Sequence, residues 1–337
     1  MADDIVSFGF KVDSRQVRRG SDDLDKFGKQ ATKTEKATSS LQSGLSKLVA
    51  IFGTSWGIYE IIDAHRRFTK SISELSAITG AAGSDLEFMK DQAIALGGST
   101  TFAAEEVATA FKLMASAKPD LLESSEALVS VTKEVLTLAE ASGMVLPDAA
   151  RALGGSMNQF SAGADQASRF INVLAAGAKH GSSEINDTAM AMKNAGGTAH
   201  TLGLTFEETN AAIQLLAKGE IKAAEAGTAL RGILLKLAKQ SKDEFKPNIV
   251  GISTAFENLK EAALSPTEMM KILGEESFNA ASGVISNAEA LQELIDKLTD
   301  TNTAYDQAST NTDNLDGDIK SMESAWSAAA LTLGEMF

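Results

Sequence analysis

The sequence contains no cysteine and only 4 prolines, and aromatic residues make up 6% of its 337 residues. Without cysteine, the chain has neither disulfide bonds nor cysteine-ligated metals. Scarce proline, together with abundant Ala, Leu, Lys and Glu, favours long helices. The low aromatic content indicates thin helical layers joined by small side chains. We therefore predict an all-α fold.

Signals for export and for membrane insertion are also missing. Residues 1–10 are acidic and lack a basic segment followed by an apolar run, so no secretory signal is visible. No stretch free of charged residues exceeds 13 residues, whereas a spanning helix needs about 20. We expect the chain to be made and kept soluble in the cytoplasm. Its net charge of −14 argues against nucleic acid as the primary partner, because phosphate binding needs a basic surface.

Motifs of catalysis are absent too. The sequence has no Walker loop, GxSxG, HExxH or dinucleotide fingerprint. The three histidines have no spacing that suits a metal on one helix face: His65, His180 and His200. Two carboxylate pairs suggest a glycosidase, but each lies in the first turn of a predicted helix, where it complements the helix dipole: Glu105/Glu106 and Glu207/Glu208. We predict no enzymatic activity, no cofactor and no metal, with a cell-wall hydrolase using Glu105 or Glu207 as an alternative.

Hydrophobic spacing outlines the elements. Alternation over residues 6–12 predicts one short strand, and spacing of 3 and 4 over residues 24–62 predicts a long helix that needs a partner. About eight helices of 12 to 20 residues are predicted between residues 84 and 245. Three starts fit the capping box: Ser84 with Glu87, Thr205 with Glu208, and Ser265 with Glu268. An echo at an offset of 102 residues, from Ala103 and from Thr205, hints at stacked helical units.

The C-terminal segment carries a regular apolar seam. Spacing that alternates between 3 and 4 predicts one supercoiled helix, and thus an oligomerisation seam. The seam consists of Leu291, Leu294, Leu298, Thr301, Tyr305, Ala308, Thr312, Leu315, Ile319, Met322, Trp326, Ala329, Leu333 and Met336. Because the pattern still runs at Phe337, we expect the chain to be the N-terminal portion of a longer protein.

Glycines inside a predicted helix call for an explanation, because each costs about 1 kcal/mol against alanine. In residues 219–239, Gly227 lies beside a 3-4 seam and Gly232 lies next to Ile233. A small residue there allows a neighbouring backbone to approach closely; the alternative is a tolerated glycine or a helix kink. The predicted helix-packing residues are Ala226, Gly227, Leu230, Ile233 and Leu237.

Several segments, taken in order, resemble the core region of phage tail tape-measure proteins. They are "LGGSTTFAAEEVATAFKLMASA" (96–117), "ALVSVTKEVLTLAEASGMVLPDAARAL" (127–153), "INVLAAGAKHGSSEI" (171–185) and "TFEETNAAIQLLAKGEIKAAEAGTALRGIL" (205–234). The resemblance covers roughly residues 65–240, about half of the chain. It implies a multi-helix core of short stacked helices flanked by long coiled-coil-like helices.

The resemblance also implies a structural role in the virion. Such proteins occupy the lumen of the tail tube as helical multimers, set tail length during assembly in the host cytoplasm, and leave with the DNA at ejection. The implied partners are further copies of the chain, with a trimer expected, the tube protein, tail-assembly chaperones and tip or baseplate proteins. Transient contact with DNA and the host membrane is implied at ejection. The expected domains are 1–79 (strand and long helix), 80–245 (core), 246–286 (linker) and 287–337 (heptad helix).

A different class of function stays open. The uncharged run at residues 48–59 motivates a helical pore-forming or membrane-active secreted protein. Twelve residues are too few to span a bilayer, since about 20 are needed, so a buried coiled-coil stretch explains the run as well.

Overall fold

The computed structural model describes residues 56–334, and this part of the chain consists of helices and loops. The all-α prediction is therefore confirmed, while the predicted strand (6–12) and most of the predicted long helix (24–62) lie outside the described residues. The helices are α1 (Trp56–Thr79), α2 (Ser84–Gly97), α3 (Ala104–Ala117), α4 (Ser125–Ser142), α5 (Leu146–Gln159), α6 (Ala167–His180), α7 (Ile185–Thr201), α8 (Phe206–Lys218), α9 (Ala223–Leu237), α10 (Pro247–Val250), α11 (Ile252–Glu261), α12 (Pro266–Leu273), α13 (Glu275–Ser286), α14 (Ala288–Leu298), α15 (Thr303–Thr312) and α16 (Leu315–Gly334). The predicted eight helices between residues 84 and 245 are α2 to α9.

Helices α1 to α9 form two rows, which together we call the stack. The first row contains α1, α3, α5, α7 and α9, each packed on the next, and the second contains α2, α4, α6 and α8 in the same order. Successive helices of one row begin about 40 residues apart. This is the arrangement of repeat proteins, in which each helical pair buries its apolar face only by stacking on its neighbours.

Neighbouring helices of the first row run in the same direction. Lys112 on α3 contacts Glu74 on α1 at 2.5 Å, and Arg67 on α1 contacts Glu105 on α3 at 3.4 Å. Both pairs are separated by 38 residues, as the sequence numbers show. Because the contacting residues are the same number of positions apart in the sequence at two points along the helices, the two helices are parallel. The second-row helix between them in the sequence runs in the opposite direction and brings the chain back.

The C-terminal helices run back along the stack. Helices α12 and α13 pack against α9, and α14 packs against α8 and α6. Helix α15 then packs against α6 and α4, and α16 against α2 and α1. The chain therefore returns to its first described helix. We call α15 and α16, residues 303–334, the strap.

The predicted heptad helix does not form as one helix in the described residues, because two turns divide it into α14, α15 and α16. At the first turn, Asp300 has φ +49° and the Thr299 hydroxyl donates to the carbonyl oxygen of Ile295 (2.8 Å). At the second, Asn314 Oδ1 accepts from the Gly317 amide (3.1 Å) and caps α16. Thr, Asp and Asn side chains compete in this way with helical backbone hydrogen bonds.

Two of the three predicted capping boxes are present. Thr205 and Glu208 form one at α8, and Ser265 and Glu268 form the other at α12. The box at Ser84 is wrong: Ser84 is the first helical residue, and Gly83 precedes it with φ +58° and no side chain to accept a bond. The echo between Ala103 and Thr205 is not a structural repeat either, since α3 and α8 lie in different rows.

Candidate functional site

The tightest helix contact in the stack lies between α7 and α9. A Cβ atom built on Gly227 would lie 2.2 Å from the carbonyl oxygen of Ala191 on α7, so only glycine permits this approach. Asn194 Nδ2 donates to the carbonyl oxygen of Ala224 (3.0 Å) at the same crossing. The other predicted helix-packing residues are fully buried: Ala226, Leu230, Ile233 and Leu237. Gly232 faces elsewhere, with its built Cβ 2.9 Å from the Ser277 hydroxyl on α13.

A buried polar network joins α6, α7 and α8. Gln214 Oε1 accepts from the backbone amides of Ser182 (2.9 Å) and Ser183 (2.7 Å). Its Nε2 donates to Thr188 Oγ1 (3.0 Å) and to Asn210 Oδ1 (3.1 Å). A fully satisfied buried network fixes one geometry, because any other packing leaves polar atoms unpaired. Sequence reasoning missed this network; its signal is two amides four residues apart, which share a helix face.

One carboxylate of each pair at the starts of α3 and α8 contacts a neighbouring helix. Arg169 Nε donates to Glu207 Oε1 (2.6 Å), and the side chain of Glu207 is only 7% exposed. The hydrogen bond with Glu207 raises the pKa of Arg169. Glu105, as described above, contacts Arg67 across the first row. Both carboxylates therefore have a role in packing.

Glu105 and Glu207 do not form a common site. Glu105 lines an open cleft of about 940 Å³ between the stack and the strap, whereas Glu207 is buried against Arg169 and does not line it. Across the described residues, no three His, Cys, Asp or Glu side chains converge in a way that could hold a metal ion. His200 packs against Phe160, with ring centroids 5.7 Å apart. Burial lowers the pKa of His180.

The strap is attached to the stack through Tyr305. Its hydroxyl lies 2.6 Å from Glu134 Oε2 on α4 and 2.9 Å from Ser168 Oγ on α6. Burial, followed by the hydrogen bond to Glu134, raises the pKa of Tyr305 to about 12. Burial likewise raises the pKa of Glu134. The phenol is therefore held in its neutral, hydrogen-bonding form between two helices of the second row.

Two amide side chains extend this attachment along α15. Asn172 Oδ1 on α6 accepts from the Ala304 backbone amide (2.9 Å) and so satisfies a donor at the start of α15. Asn311 Nδ2 donates to the carbonyl oxygen of Ala141 (2.8 Å), at the end of α4. Sequence reasoning did not identify these contacts, because they join residues more than 130 positions apart.

The structure separates the predicted oligomerisation seam into an inner and an outer part. Leu291, Leu294 and Leu298 are buried in the core of this chain, so in this fold they are not available to another copy. The outer part is exposed: Leu315 (75%), Ile319 (42%) and Met322 (52%). Tyr305 is bonded to the stack, Trp326 is half-buried, and the side chain of Leu333 lies outside the described residues.

The uncharged run at residues 48–59 lies mostly outside the described residues. None of the helices in residues 56–334 combines the length and the apolar character that a membrane crossing requires.

Comparison with known proteins gives three matches. The family model described as "Phage-related minor tail protein" matches residues 90–332. The chain is similar to the tape measure protein of Pneumococcus phage Dp-1, with 31% identity over 82% of this chain and 25% of that protein. It is also similar to the probable tape measure protein of Escherichia phage P2, with 26% identity over 85% of this chain and 38% of that protein. The chain thus spans well under half of either relative. No solved structure matches it significantly.

Proposed function

Because this chain belongs to the phage-related minor tail protein family, we propose that it is part of a structural protein that sets the length of a phage tail. In this role the protein occupies the lumen of the tail tube during assembly in the host cytoplasm and leaves with the DNA at ejection. The proposal is carried by the similarity to two relatives that are named as tape measure proteins. Helices suit such a role, since each residue adds about 1.5 Å and chain length converts linearly into distance.

The partners we propose are further copies of the chain, the tube protein, the tail-assembly chaperones and the tip or baseplate proteins. The surface that supports self-association is the exposed stripe of Leu315, Ile319 and Met322 on α16. These residues lie four and three positions apart, on one helix face, as a pairing seam requires. A trimer is the arrangement we propose.

We propose no enzymatic role. The carboxylates that suggested one, Glu105 and Glu207, contact arginines that join neighbouring helices. Negative charge at the first turn of α3 and α8 also complements the helix dipole. The arginine contacts and the helix dipole together account for both carboxylates without catalysis.

Tail length measured by electron microscopy tests the proposal. In the complete gene, residues 307–334 are duplicated directly after Gly334, which inserts four whole heptads and keeps the seam in register. We expect tails that are longer by about 42 Å, from 28 residues at about 1.5 Å each. A matched insertion has the same length but Lys and Glu at the apolar seam positions, and we expect it to fail to extend the tail. Normal tails of unchanged length with the first insertion would contradict the proposal.

A further inference from the structure

Helix α15 is held to the stack by directed hydrogen bonds rather than by large apolar side chains. Its sequence, TAYDQASTNT, has no Leu, Ile, Val, Met or Phe, and its buried residues are Thr303, Ala304 and Ala308. Helix α14, one turn earlier, buries three leucines. Free energy from apolar burial scales with area, so α15 contributes little of it and depends on its polar contacts.

The turn between α14 and α15 is held in an unfavourable backbone conformation. Asp300 has φ +49°, a left-handed conformation that residues other than glycine disfavour. Asparagine and aspartate tolerate it best, which explains how the turn persists. A helical conformation at residues 299–302 would relieve it.

The alternating spacing of three and four residues in the predicted seam continues without a break across both turns. Leu298, Thr301 and Tyr305 are separated by three and then four residues, and Thr312, Leu315 and Ile319 repeat this spacing. Two helices joined by a turn do not need seam residues at a continuous heptad spacing, because the turn changes the direction of the chain between them. In one continuous helix, however, these residues would form a single stripe with Leu294 and Met322.

We propose that the strap is a latch with two states. In the state described above it is closed on α4 and α6. In the open state α15 and α16 leave the stack together, which also uncovers the buried residues 328–331 of α16, and residues 299–302 become helical. Helix α14 stays on the stack with Leu294 and Leu298 in the core and continues into the strap as one helix. The part of the stripe beyond Leu298 is then covered by the same segment of a second copy. This inference rests on the self-association proposed above, and it explains why the stripe is divided in the closed chain.

Thiol reactivity measures the opening of the latch, because the chain has no cysteine of its own. Ala308→Cys places a thiol on the buried face of the strap, and Ala152→Cys places one in α5 with similar burial; the two alanines are 6% and 2% exposed. In the purified full chain we expect the Ala308→Cys thiol to react at least about 100-fold faster with a disulfide reagent, since local opening precedes global unfolding. Equal rates would overturn the proposal.

Substitutions at Asp300 test the role of the turn in this reaction. Alanine disfavours a positive φ and favours helix, so Asp300→Ala should increase the Ala308→Cys rate by about 10-fold. Glycine accepts a positive φ and disfavours helix, so Asp300→Gly should lower the rate. Neither substitution should change the Ala152→Cys rate, and a parallel change at both thiols would mean global destabilisation and would overturn the proposal.

Insertions after Asn302 test the joined helix. In a chain opened by Tyr305→Phe and Asn311→Ala, we expect concentration-dependent association in sedimentation velocity. One inserted residue rotates the strap by about 100° relative to α14 and should abolish association, whereas seven inserted residues keep the heptad phase and should preserve it. Equal behaviour of the two insertions, or no association at all, would overturn the joined helix. Because no tail is involved, that failure is distinguishable from a failure of the tail-length proposal.

Discussion

At the scale of single residues, Gly227 shows how a glycine inside a helix can stabilise the folded chain by allowing two helices to pack closely. The Gly227→Ala substitution adds a methyl group 2.2 Å from the Ala191 carbonyl oxygen, so α7 and α9 must move apart. Overpacked sites lose about 1–3 kcal/mol, and alanine regains about 1 kcal/mol of this through helix propensity. Because the clash is with a backbone atom, we expect the upper part of that cost and a net fall of about 1–2 kcal/mol in the free energy of unfolding. Urea unfolding followed by circular dichroism measures the difference.

Gly155 in α5 provides the matched control. It is also helical, but a Cβ atom built there meets nothing within 4 Å. Gly155→Ala should therefore stabilise the chain by up to about 1 kcal/mol through propensity alone. If both substitutions changed stability in the same direction, the close approach at Gly227 would not be what selects glycine.

Tyr305 has a titration that can be measured directly, because the chain has only two tyrosines. With Tyr59→Phe, the remaining phenol should ionise at about pH 12 in the folded chain, against about 10 in the unfolded chain. A pKa raised by folding contributes stability that is complete below pH 10 and is lost as the pH rises towards 12. Absorbance at 295 nm measures the titration. In a Tyr59→Phe/Tyr305→Phe chain this loss should be absent, and a midpoint near 10 would contradict the contact with Glu134.

At the scale of elements, α14 and α16 should respond differently to truncation of their seam residues. Leu298 is fully buried, so Leu298→Ala should lower the free energy of unfolding by about 2–5 kcal/mol. Ile319 is 42% exposed, and Ile319→Ala should change it by less than about 0.5 kcal/mol in the dilute chain. Both are measured by denaturant unfolding. Equal effects would mean that the two parts of the seam have the same environment.

The elements also show where sequence reasoning succeeds and where it fails. Helix periodicity and capping chemistry are local, so the eight helices α2 to α9 and the boxes at Thr205 and Ser265 could be predicted. The turns at residues 299–302 and 313–314 could not. Apolar residues show the same heptad spacing whether they pack against another copy or against the core of their own chain. Leu298 packs against the core of its own chain.

At the scale of the whole molecule, the sequence contains only a hint of the two-row stack. Helices recur in each row about every 40 residues, but the residues at equivalent positions differ. Neighbouring helices of one row are joined by contacts between residues 38 positions apart, and these contacts differ chemically from one interface to the next. Arg169 and Glu207 form an ion pair, whereas the side-chain oxygen of Gln159 accepts a hydrogen bond from the Gly197 amide. Repeats held by different contacts at each interface share geometry without sharing residues. The resemblance to a family indicated the helical core, but not its order of packing.

The stack leads to a prediction about tail length that complements the duplication after Gly334. If the stack remains folded in the tail, 28 residues inserted after Gly143, an exposed turn between α4 and α5, should leave tail length unchanged. If the stack opens into a rod, the same insertion should lengthen the tail by about 42 Å. Electron microscopy distinguishes the two, and we expect unchanged length, because the buried network around Gln214 favours the packed form.

During synthesis of the chain, the strap is made long after the helices to which it binds. Tyr305 follows its partner Glu134 by 171 residues. At a synthesis rate of about 5–20 residues per second, roughly 10–30 s pass between the two. In the later part of that interval Ser168 and Asn172 have also been made, and like Glu134 they have not yet met their partners in α15. Each new chain therefore contains helices α4 and α6 before it contains the residues that attach the strap to them.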